Sequence, residues 1–345
     1  MPVEKLSARK EKSEVFNPWS RVDSALDITW DELADAIKGL GEITVKKLAR
    51  KYGNPITLAF MPAYEITDVS TEILGRIRGY LYEKFLGSQF LTAKDLQRRN
   101  LPTLKLHAQL DDIVNLKPGD LTLFYGKPAT GKTQICHHYA ASIMLTLKNG
   151  GYAGVALYID TENTFSLERV QEIYEHLLER YEGTYPETII YKYTLRDPFD
   201  FERFVYFQLP ELFKEAVKSK TPIRLVIIDS AIAPFREKFP GRGNLAARQQ
   251  MLAKILGFLK DISLLFQIPV ILTTQVVARP LGYGKDFAAA GGHTLLHNVS
   301  KIIELDFVKG DVRRATLVKG GPQRTVYYRI TEKGVVSVPR SVKVE

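Results

Sequence analysis

The strongest motif of this 345-residue chain is Gly126-Lys127-Pro128-Ala129-Thr130-Gly131-Lys132-Thr133. It matches the pattern G-x-x-x-x-G-K-[ST], which a chain of this length contains by chance in roughly one case in a hundred. The apolar run at 121–125 predicts a strand before the segment, and the pattern at 133–147 predicts a helix after it. This strand–loop–helix order is the setting in which such a loop binds phosphate groups. The alternative is a tight glycine turn without a ligand.

The loop predicts a site for ATP with Mg²⁺. Its backbone N–H groups and the N-terminus of the following helix present partial positive charge to the phosphates. Lys132 is predicted to reach the β and γ phosphates, and the hydroxyl of Thr133 is predicted to hold Mg²⁺. The predicted nucleotide-binding residues of this segment are Gly126, Lys127, Pro128, Ala129, Thr130, Gly131, Lys132, Thr133 and Gln134.

Polar residues at the ends of three other apolar runs predict the rest of the chemistry. Asp229 follows one such run and is a candidate Mg²⁺ ligand through water, or else it caps the following turn. Glu162 is the candidate general base for the attacking water, although acidic residues after strands often cap helices. The cluster Thr273-Thr274-Gln275 is a candidate sensor of the γ-phosphate.

Apolar runs alternate with helical patterns from residue 104 onward. The run at 225–228 is apolar throughout, which is typical of a strand buried on both faces, and the alternation predicts an α/β fold with a parallel-rich sheet. From Lys301 onward the pattern predicts shorter antiparallel strands. Short helical patterns that end at glycine or proline come before the α/β part. We therefore expect a poorly structured leader at 1–27, a helical domain at 28–86, a linker at 87–103 and an ATPase core at 104–345.

The charge of the chain favours a polyanionic partner. The formal net charge is +9, and residues 279–345 carry twelve Lys/Arg against six Asp/Glu. Such a basic region suits nucleic acid, or it is a solvated, lysine-rich surface. The single cysteine, Cys136, excludes a disulfide or a cysteine-based zinc site within one chain. Without an apolar run of 18 residues or a secretory leader, we expect a cytoplasmic, nucleoid-associated protein with no membrane partner.

Several segments between the predicted strands are similar to segments of a known family and follow the same order along the chain. The chain resembles the RecA/RadA family of DNA recombinases over roughly residues 90–335, and in particular archaeal RadA or a diverged paralogue of it. The segments that carry the resemblance are Thr161-Glu162-Asn163-Thr164-Phe165, Glu168-Arg169, Phe235-Arg236, Pro240-Gly241-Arg242-Gly243-Asn244-Leu245-Ala246, Arg248-Gln249-Gln250, Thr274-Gln275-Val276, Ala278-Arg279-Pro280 and Gly291-Gly292-His293-Thr294.

The resemblance implies a RecA-like P-loop ATPase core and assigns roles within it. Glu162 takes the position of the catalytic glutamate, and Gln275 takes that of the residue that senses the γ-phosphate. Together with Lys132 they are the predicted catalytic residues. Arg169 matches a residue that packs on adenine. The helical domain resembles a helix-hairpin-helix unit with its hairpin at 39–41.

Two segments correspond to DNA-facing loops of the family, at 236–242 and 277–291. Arg236, Arg242 and Arg279 are the candidates for binding the backbones of single-stranded and double-stranded DNA, since arginine pairs with phosphate irrespective of sequence. The alternative is that these arginines are solvated surface residues.

The linker carries a segment similar to the family's polymerisation motif, Phe90-Leu91-Thr92-Ala93. The resemblance implies that Phe90 and Ala93 dock into the next subunit of a homo-oligomer or filament, or into the main recombinase. Burying one phenylalanine contributes about 1.5–3 kcal/mol. The alternative is that Phe90 packs on its own domain.

Four positions depart from the family pattern: the loop interior 127–130, Ser166-Leu167, Thr274 and Lys319-Gly320-Gly321-Pro322. Three hypotheses follow. The chain is a filament-forming recombinase that pairs and exchanges strands, a paralogue that binds DNA and ATP and regulates the main recombinase, or a motor or switch ATPase on the same core. The 291–293 segment, the arginine-rich first loop and the linker motif favour the first two.

Lys319 falls where the family carries an aspartate that helps hold a monovalent cation against the γ-phosphate across the subunit interface. One possibility is that its ammonium takes the place of that cation and stabilises the charge on the γ-phosphate, as cationic groups do in phosphoryl transfer. The alternative is that the side chain points away from ATP and the contact is lost.

Overall fold

A ten-stranded sheet organises the chain in this computed structural model, which describes residues 17–87, 102–239, 243–278 and 287–339. The strand order is β10-β9-β8-β7-β1-β5-β4-β2-β3, and β6 pairs with β5. The strands are β1 (Leu121–Gly126), β2 (Val155–Asp160), β3 (Ile190–Thr194), β4 (Ile223–Asp229), β5 (Val270–Ala278), β6 (Phe287–Ala289), β7 (Lys301–Lys309), β8 (Val312–Lys319), β9 (Thr325–Thr331) and β10 (Gly334–Ser337).

The strands from β7 to β3 in this order are parallel, which confirms the predicted α/β fold with a parallel-rich sheet. Every residue of β1, β2 and β4 is buried, as expected for strands covered on both faces. Strands β8 to β10 continue from β7 as antiparallel neighbours. The prediction of antiparallel strands from Lys301 onward is wrong for the pairing of β7 with β1. These two strands are parallel, because a helix precedes β7.

Helices cover the sheet and form the N-terminal region. Several begin at a hydroxyl cap: the hydroxyls of Thr29, Ser70 and Ser166 each accept a hydrogen bond from a backbone N–H in the first turn. The helices are α1 (Ser20–Ala25), α2 (Trp30–Ala36), α3 (Glu42–Tyr52), α4 (Thr57–Phe60), α5 (Thr71–Leu86), α6 (Asp111–Val114), α7 (Lys132–Ser142), α8 (Leu167–Leu178), α9 (Pro198–Arg203), α10 (Leu209–Lys218), α11 (Ala233–Lys238), α12 (Leu245–Leu265) and α13 (Gly292–Asn298).

The described residues also contain three short helical turns. A π-helical turn, Phe204–Gln208, joins α9 to α10, and 3₁₀ turns lie at Ala63–Glu65 and Leu147–Asn149. Within the described ranges, no helix is both long and apolar enough to cross a membrane.

The expectation of a poorly structured leader is wrong for residues 17–27, which contain α1. Trp19 is 1% exposed, and its indole N–H donates to the Gln267 carbonyl at 2.7 Å. The buried guanidinium of Arg224 in β4 pairs with Asp23 at 2.6 Å and lies over the Trp19 ring. Charged residues dominate this stretch, so its composition did not indicate that Trp19 anchors it to the core.

The N-terminal helices share their apolar core with the α/β part. Phe60 of α4, Phe85 of α5 and Phe213 of α10 all pack against Phe266, with ring centroids 4.4–5.6 Å apart. The hydroxyl of Thr57 donates to the Tyr206 carbonyl at 2.7 Å across the same boundary. These buried contacts hold the helical region against α12 and α10.

Candidate active site

The predicted phosphate-binding loop lies between β1 and α7, as its sequence pattern requires. β1 ends at Gly126 and α7 begins at Lys132, with Gly131 at φ 103°. A Cβ atom on Gly126 would lie 2.4 Å from the Leu305 carbonyl oxygen, and one on Gly131 would lie 2.5 Å from Ile330 Cδ1. Glycine is therefore required at both positions, by close approach at the first and by backbone conformation as well at the second.

Side chains of β8 and β9 contact the backbone of the loop. The Tyr328 hydroxyl of β9 donates to the Thr130 carbonyl at 2.8 Å, and Arg313 of β8 donates to the Ala129 carbonyl at 3.4 Å. The Thr130 hydroxyl closes the loop on the Lys127 carbonyl at 2.8 Å. The loop backbone is thus shaped by the sheet as well as by its own glycines.

Lys132 points back into the loop. Its ammonium donates to the Gly126 carbonyl at 3.0 Å and to the Lys127 carbonyl at 2.9 Å. Burial lowers the pKa of Lys132 below its usual value, although the nearby carboxylates of Asp229 and Glu162 act in the opposite direction. In a nucleotide complex, charged phosphate oxygens would take the place of these neutral carbonyls as acceptors. Hydrogen bonds to charged acceptors are stronger.

The two predicted Mg²⁺ ligands meet directly. The Thr133 hydroxyl donates to Asp229 Oδ2 at 2.7 Å, although the two residues are 96 positions apart in the chain. Asp229 is 4% exposed at the carboxyl end of β4. Tyr158 of β2 and Thr273 of β5 also donate their hydroxyls to this carboxylate.

The predicted general base lies at the same edge of the sheet. Glu162 Oε1 accepts a hydrogen bond from the Ser230 hydroxyl at 2.7 Å. Ser230 is tied in turn to Thr161, because its N–H donates to the Thr161 hydroxyl at 2.6 Å. The carboxylate that we expect to accept the proton of water is therefore oriented by the residue that follows Asp229.

Gln275 lies beside the loop through strand pairing. Its Cα is the register partner of Gly126, because β5 is the neighbour of β1. Its carbonyl accepts the Ala290 N–H at 2.8 Å, which ties β5 to the stretch before α13. The predicted sensor thus connects the loop with the second predicted DNA-facing segment.

Arg169 and Gln134 are brought together at the start of α8. Arg169 Nε donates to Gln134 Oε1 at 2.9 Å, and its other nitrogens donate to the carbonyls of Thr331 and Glu332. Arg169 therefore joins α7 to the turn between β9 and β10, next to the phosphate loop. That Arg169 packs on the nucleotide base stays a prediction.

The donor set fits ATP with Mg²⁺. Mg²⁺ prefers oxygen ligands and keeps several waters, so one hydroxyl and one carboxylate beside the phosphates are an ordinary protein contribution. In the described parts of the chain, no cluster of three or more His, Cys, Asp or Glu side chains could hold a metal ion by itself. A site shared between Thr133, Asp229 and phosphate oxygens needs no such cluster.

A second concave surface lies between α11, α12 and α13. Its cavity of about 400 Å³ includes Arg236, the one predicted DNA-binding arginine within the described residues. Arg242, Arg279, Phe90 and Ala93 lie outside them. The other lining residues, which the site prediction missed although some belong to the quoted segments, are Ile232, Leu245, Arg248, Gln249, Val277, Ala289, Ala290, Gly291, Gly292, His293 and Leu296.

This fold and this loop define a RecA-like P-loop core preceded by a helical region. A sequence model of the Rad51 family matches residues 105–338, and the chain belongs to that family. Members of the family are ATPases that act on DNA in recombination and repair and form oligomeric filaments, and they bind ATP with Mg²⁺.

Proposed function

We propose that this protein is an ATP-dependent recombinase that binds single-stranded DNA and acts, as a filament, in pairing and exchanging strands. The observation that carries the proposal is the convergence of Lys132, Thr133, Asp229 and Glu162 at one edge of the sheet. The strand order β1-β5-β4-β2 produces this convergence, because it places the carboxyl ends of four parallel strands side by side. Membership of the Rad51 family supports the link to DNA.

The side chains divide the work of ATP hydrolysis. Lys132 exchanges its carbonyl acceptors for phosphate oxygens and stabilises their charge. Glu162, oriented by Ser230, accepts the proton of the attacking water. Mg²⁺, when bound, adds positive charge at the phosphates, and Thr133 and Asp229 are the residues that would hold it.

The arginine-lined cavity supports the DNA-binding part of the proposal. Arg236, Arg248 and His293 line it together with apolar residues. This combination suits single-stranded DNA, which is bound through its phosphates and its unstacked bases. β5 leads from Gln275 to Val277 at the cavity wall, so one strand joins the two sites.

The position of β3 at one end of the sheet supports the predicted docking of Phe90 and Ala93. Within the described part of the sheet this strand is an edge, paired with β2 alone. Such an edge offers unpaired backbone groups to an extended segment of another subunit, which adds to the sheet as a further strand. We propose that the linker motif of a neighbouring subunit uses this edge.

The test is ATP hydrolysis measured with and without single-stranded DNA. We expect DNA to stimulate the wild-type rate, and Glu162→Gln to slow it by about 10²-fold while nucleotide affinity is kept, because a general base acts only in the reaction. Glu175→Gln, an exposed position of α8, is the matched control and should behave as wild type. Loss of nucleotide binding in Glu162→Gln would instead assign this residue to the fold.

The second candidate is a paralogue that regulates the main recombinase. It is favoured by the departures at 127–130 and 319–322, and by the engagement of Lys319 with carbonyls of its own chain. A strand-exchange assay separates the two. Exchange by the purified protein supports the first candidate, whereas DNA and ATP binding without exchange supports the second.

A further inference from the structure

Asp229 is surrounded by hydroxyl groups from three different elements. Oδ2 accepts from the Thr133 hydroxyl at 2.7 Å and from the Tyr158 hydroxyl at 2.9 Å. Oδ1 accepts from the Thr273 hydroxyl. Tyr158 and Thr273 are both 0% exposed, so water does not compete for these two contacts.

The three donors lie in different parts of the fold. Tyr158 lies in β2 and Thr273 in β5, the two strands that pair with β4 on its two sides. Thr133 begins α7 at the phosphate loop. The carboxylate is therefore held by two residues of the strands on either side of β4. Thr133 alone among the three donors belongs to the phosphate-binding segment.

We propose that Tyr158 and Thr273 are positioning residues that hold Asp229 in the orientation needed for Mg²⁺. The proposal rests on the function proposed above for the 126–133 loop. Because their hydroxyls satisfy the carboxylate from the sheet side, Asp229 is already oriented before the ion arrives. A preoriented ligand loses less conformational freedom on binding, and partners behind a metal ligand raise metal affinity in this way.

Tyr139 offers a comparison with Tyr158 inside the same core. Tyr139 is also 0% exposed, on the α7 face turned to the sheet, and its hydroxyl has no hydrogen-bond partner among the described residues. Tyr139→Phe is consequently a matched control, since it removes the same atom from the same core without touching Asp229.

The experiment titrates Mg²⁺ into protein with a fluorescent, non-hydrolysable ATP analogue and measures nucleotide affinity at each concentration. We expect Tyr158→Phe and Thr273→Val each to raise the Mg²⁺ concentration for half-maximal effect by about tenfold, the scale of one hydrogen bond to a charged group. Affinity for the analogue in EDTA should stay as in wild type. In Tyr139→Phe both quantities should be unchanged.

The double variant Tyr158→Phe/Thr273→Val adds a second measurement. Because both hydroxyls act on one carboxylate, we expect its effect to differ from the product of the two single effects. A normal Mg²⁺ dependence in both single variants would overturn the proposal. So would an equal loss of affinity with and without Mg²⁺, since that would assign the hydroxyls to the shape of the loop. A wild-type protein that binds no nucleotide would instead refute the function of the loop itself.

Discussion

His138, on the helix that follows the phosphate loop, shows how a single buried residue sets a pH response. Its Nδ1 accepts the Val335 N–H at 2.9 Å, so the neutral ring carries its proton on Nε2. Burial lowers the pKa of His138 to about 3 and that of its neighbour His137 to about 4. Both rings therefore stay neutral in the folded protein at pH values where an unfolded histidine is charged.

We predict that this protein loses stability as the pH falls from about 6.5 toward 4. The unfolded chain binds protons at these histidines in that range and the folded chain does not, so unfolding is favoured. At pH 5 one such histidine costs about 2 kcal/mol relative to neutral pH. Thermal unfolding at pH 7 and pH 5 measures the effect.

The control for this prediction is His138→Asn, which keeps an acceptor for Val335 and does not titrate. We expect a smaller fall in melting temperature between the two pH values than in wild type. An identical fall in the variant would show that His138 does not contribute to the acid response.

At the scale of elements, Lys319 at the end of β8 caps the C-terminus of α13. Its ammonium donates to the carbonyls of Leu296 at 2.9 Å, His297 at 3.1 Å and Val299 at 2.8 Å. A cation at the C-terminus of a helix is stabilising because the last carbonyls are unpaired and carry partial negative charge. These bonds engage the Lys319 ammonium with carbonyls of its own chain, and the salt dependence of ATP hydrolysis decides between an ammonium that replaces the monovalent cation and one that makes no contact with ATP.

We predict that ATP hydrolysis in the presence of DNA hardly changes when potassium replaces sodium, because a fixed ammonium takes the place of a mobile cation. Lys319→Ala should lower the rate in both salts, and Lys319→Asp should make it depend on potassium. Lys309→Ala, at an exposed lysine of β7, is the control and should leave the rate unchanged. Strong stimulation of the wild-type protein by potassium would contradict the prediction.

At the scale of the whole molecule, the N-terminal segment acts as part of the core. We predict that Trp19→Ala lowers the free energy of unfolding by about 3–5 kcal/mol, the usual cost of truncating a buried aromatic residue. It also removes the ring beside the buried Arg224 guanidinium. Arg21→Ala, an exposed change in α1, should be close to neutral. Denaturant unfolding that gives equal values for both variants would mean that this segment does not stabilise the core.

Assembly is the second property at this scale. We predict that Phe90→Glu lowers the oligomeric state measured by light scattering, because a charge in an apolar pocket is costly unless it is paired. Gln89→Glu adds the same charge one position earlier and is the matched control. The same assembly in Phe90→Glu and wild type would rule out the docking motif.

Much of this architecture was predictable because its signals are local. The phosphate loop is one contiguous segment, and the strands around it are runs of apolar residues whose burial follows directly from their composition. Asp229 and Glu162 could be predicted as site residues because each follows such a run. By contrast, Trp19 was missed, since a single aromatic residue in a charged stretch produces no periodic pattern.

From the sequence alone one could predict a phosphate-binding loop on an α/β core and the residue types at the strand ends. Which of these residues meet depends on the folded chain. Tyr158 and Thr273 reach Asp229 because β2 and β5 flank β4, and Lys319 reaches α13 because β8 lies beside β7. These contacts depend on strand order, which brings together residues tens of positions apart, and no short stretch of sequence encodes that order.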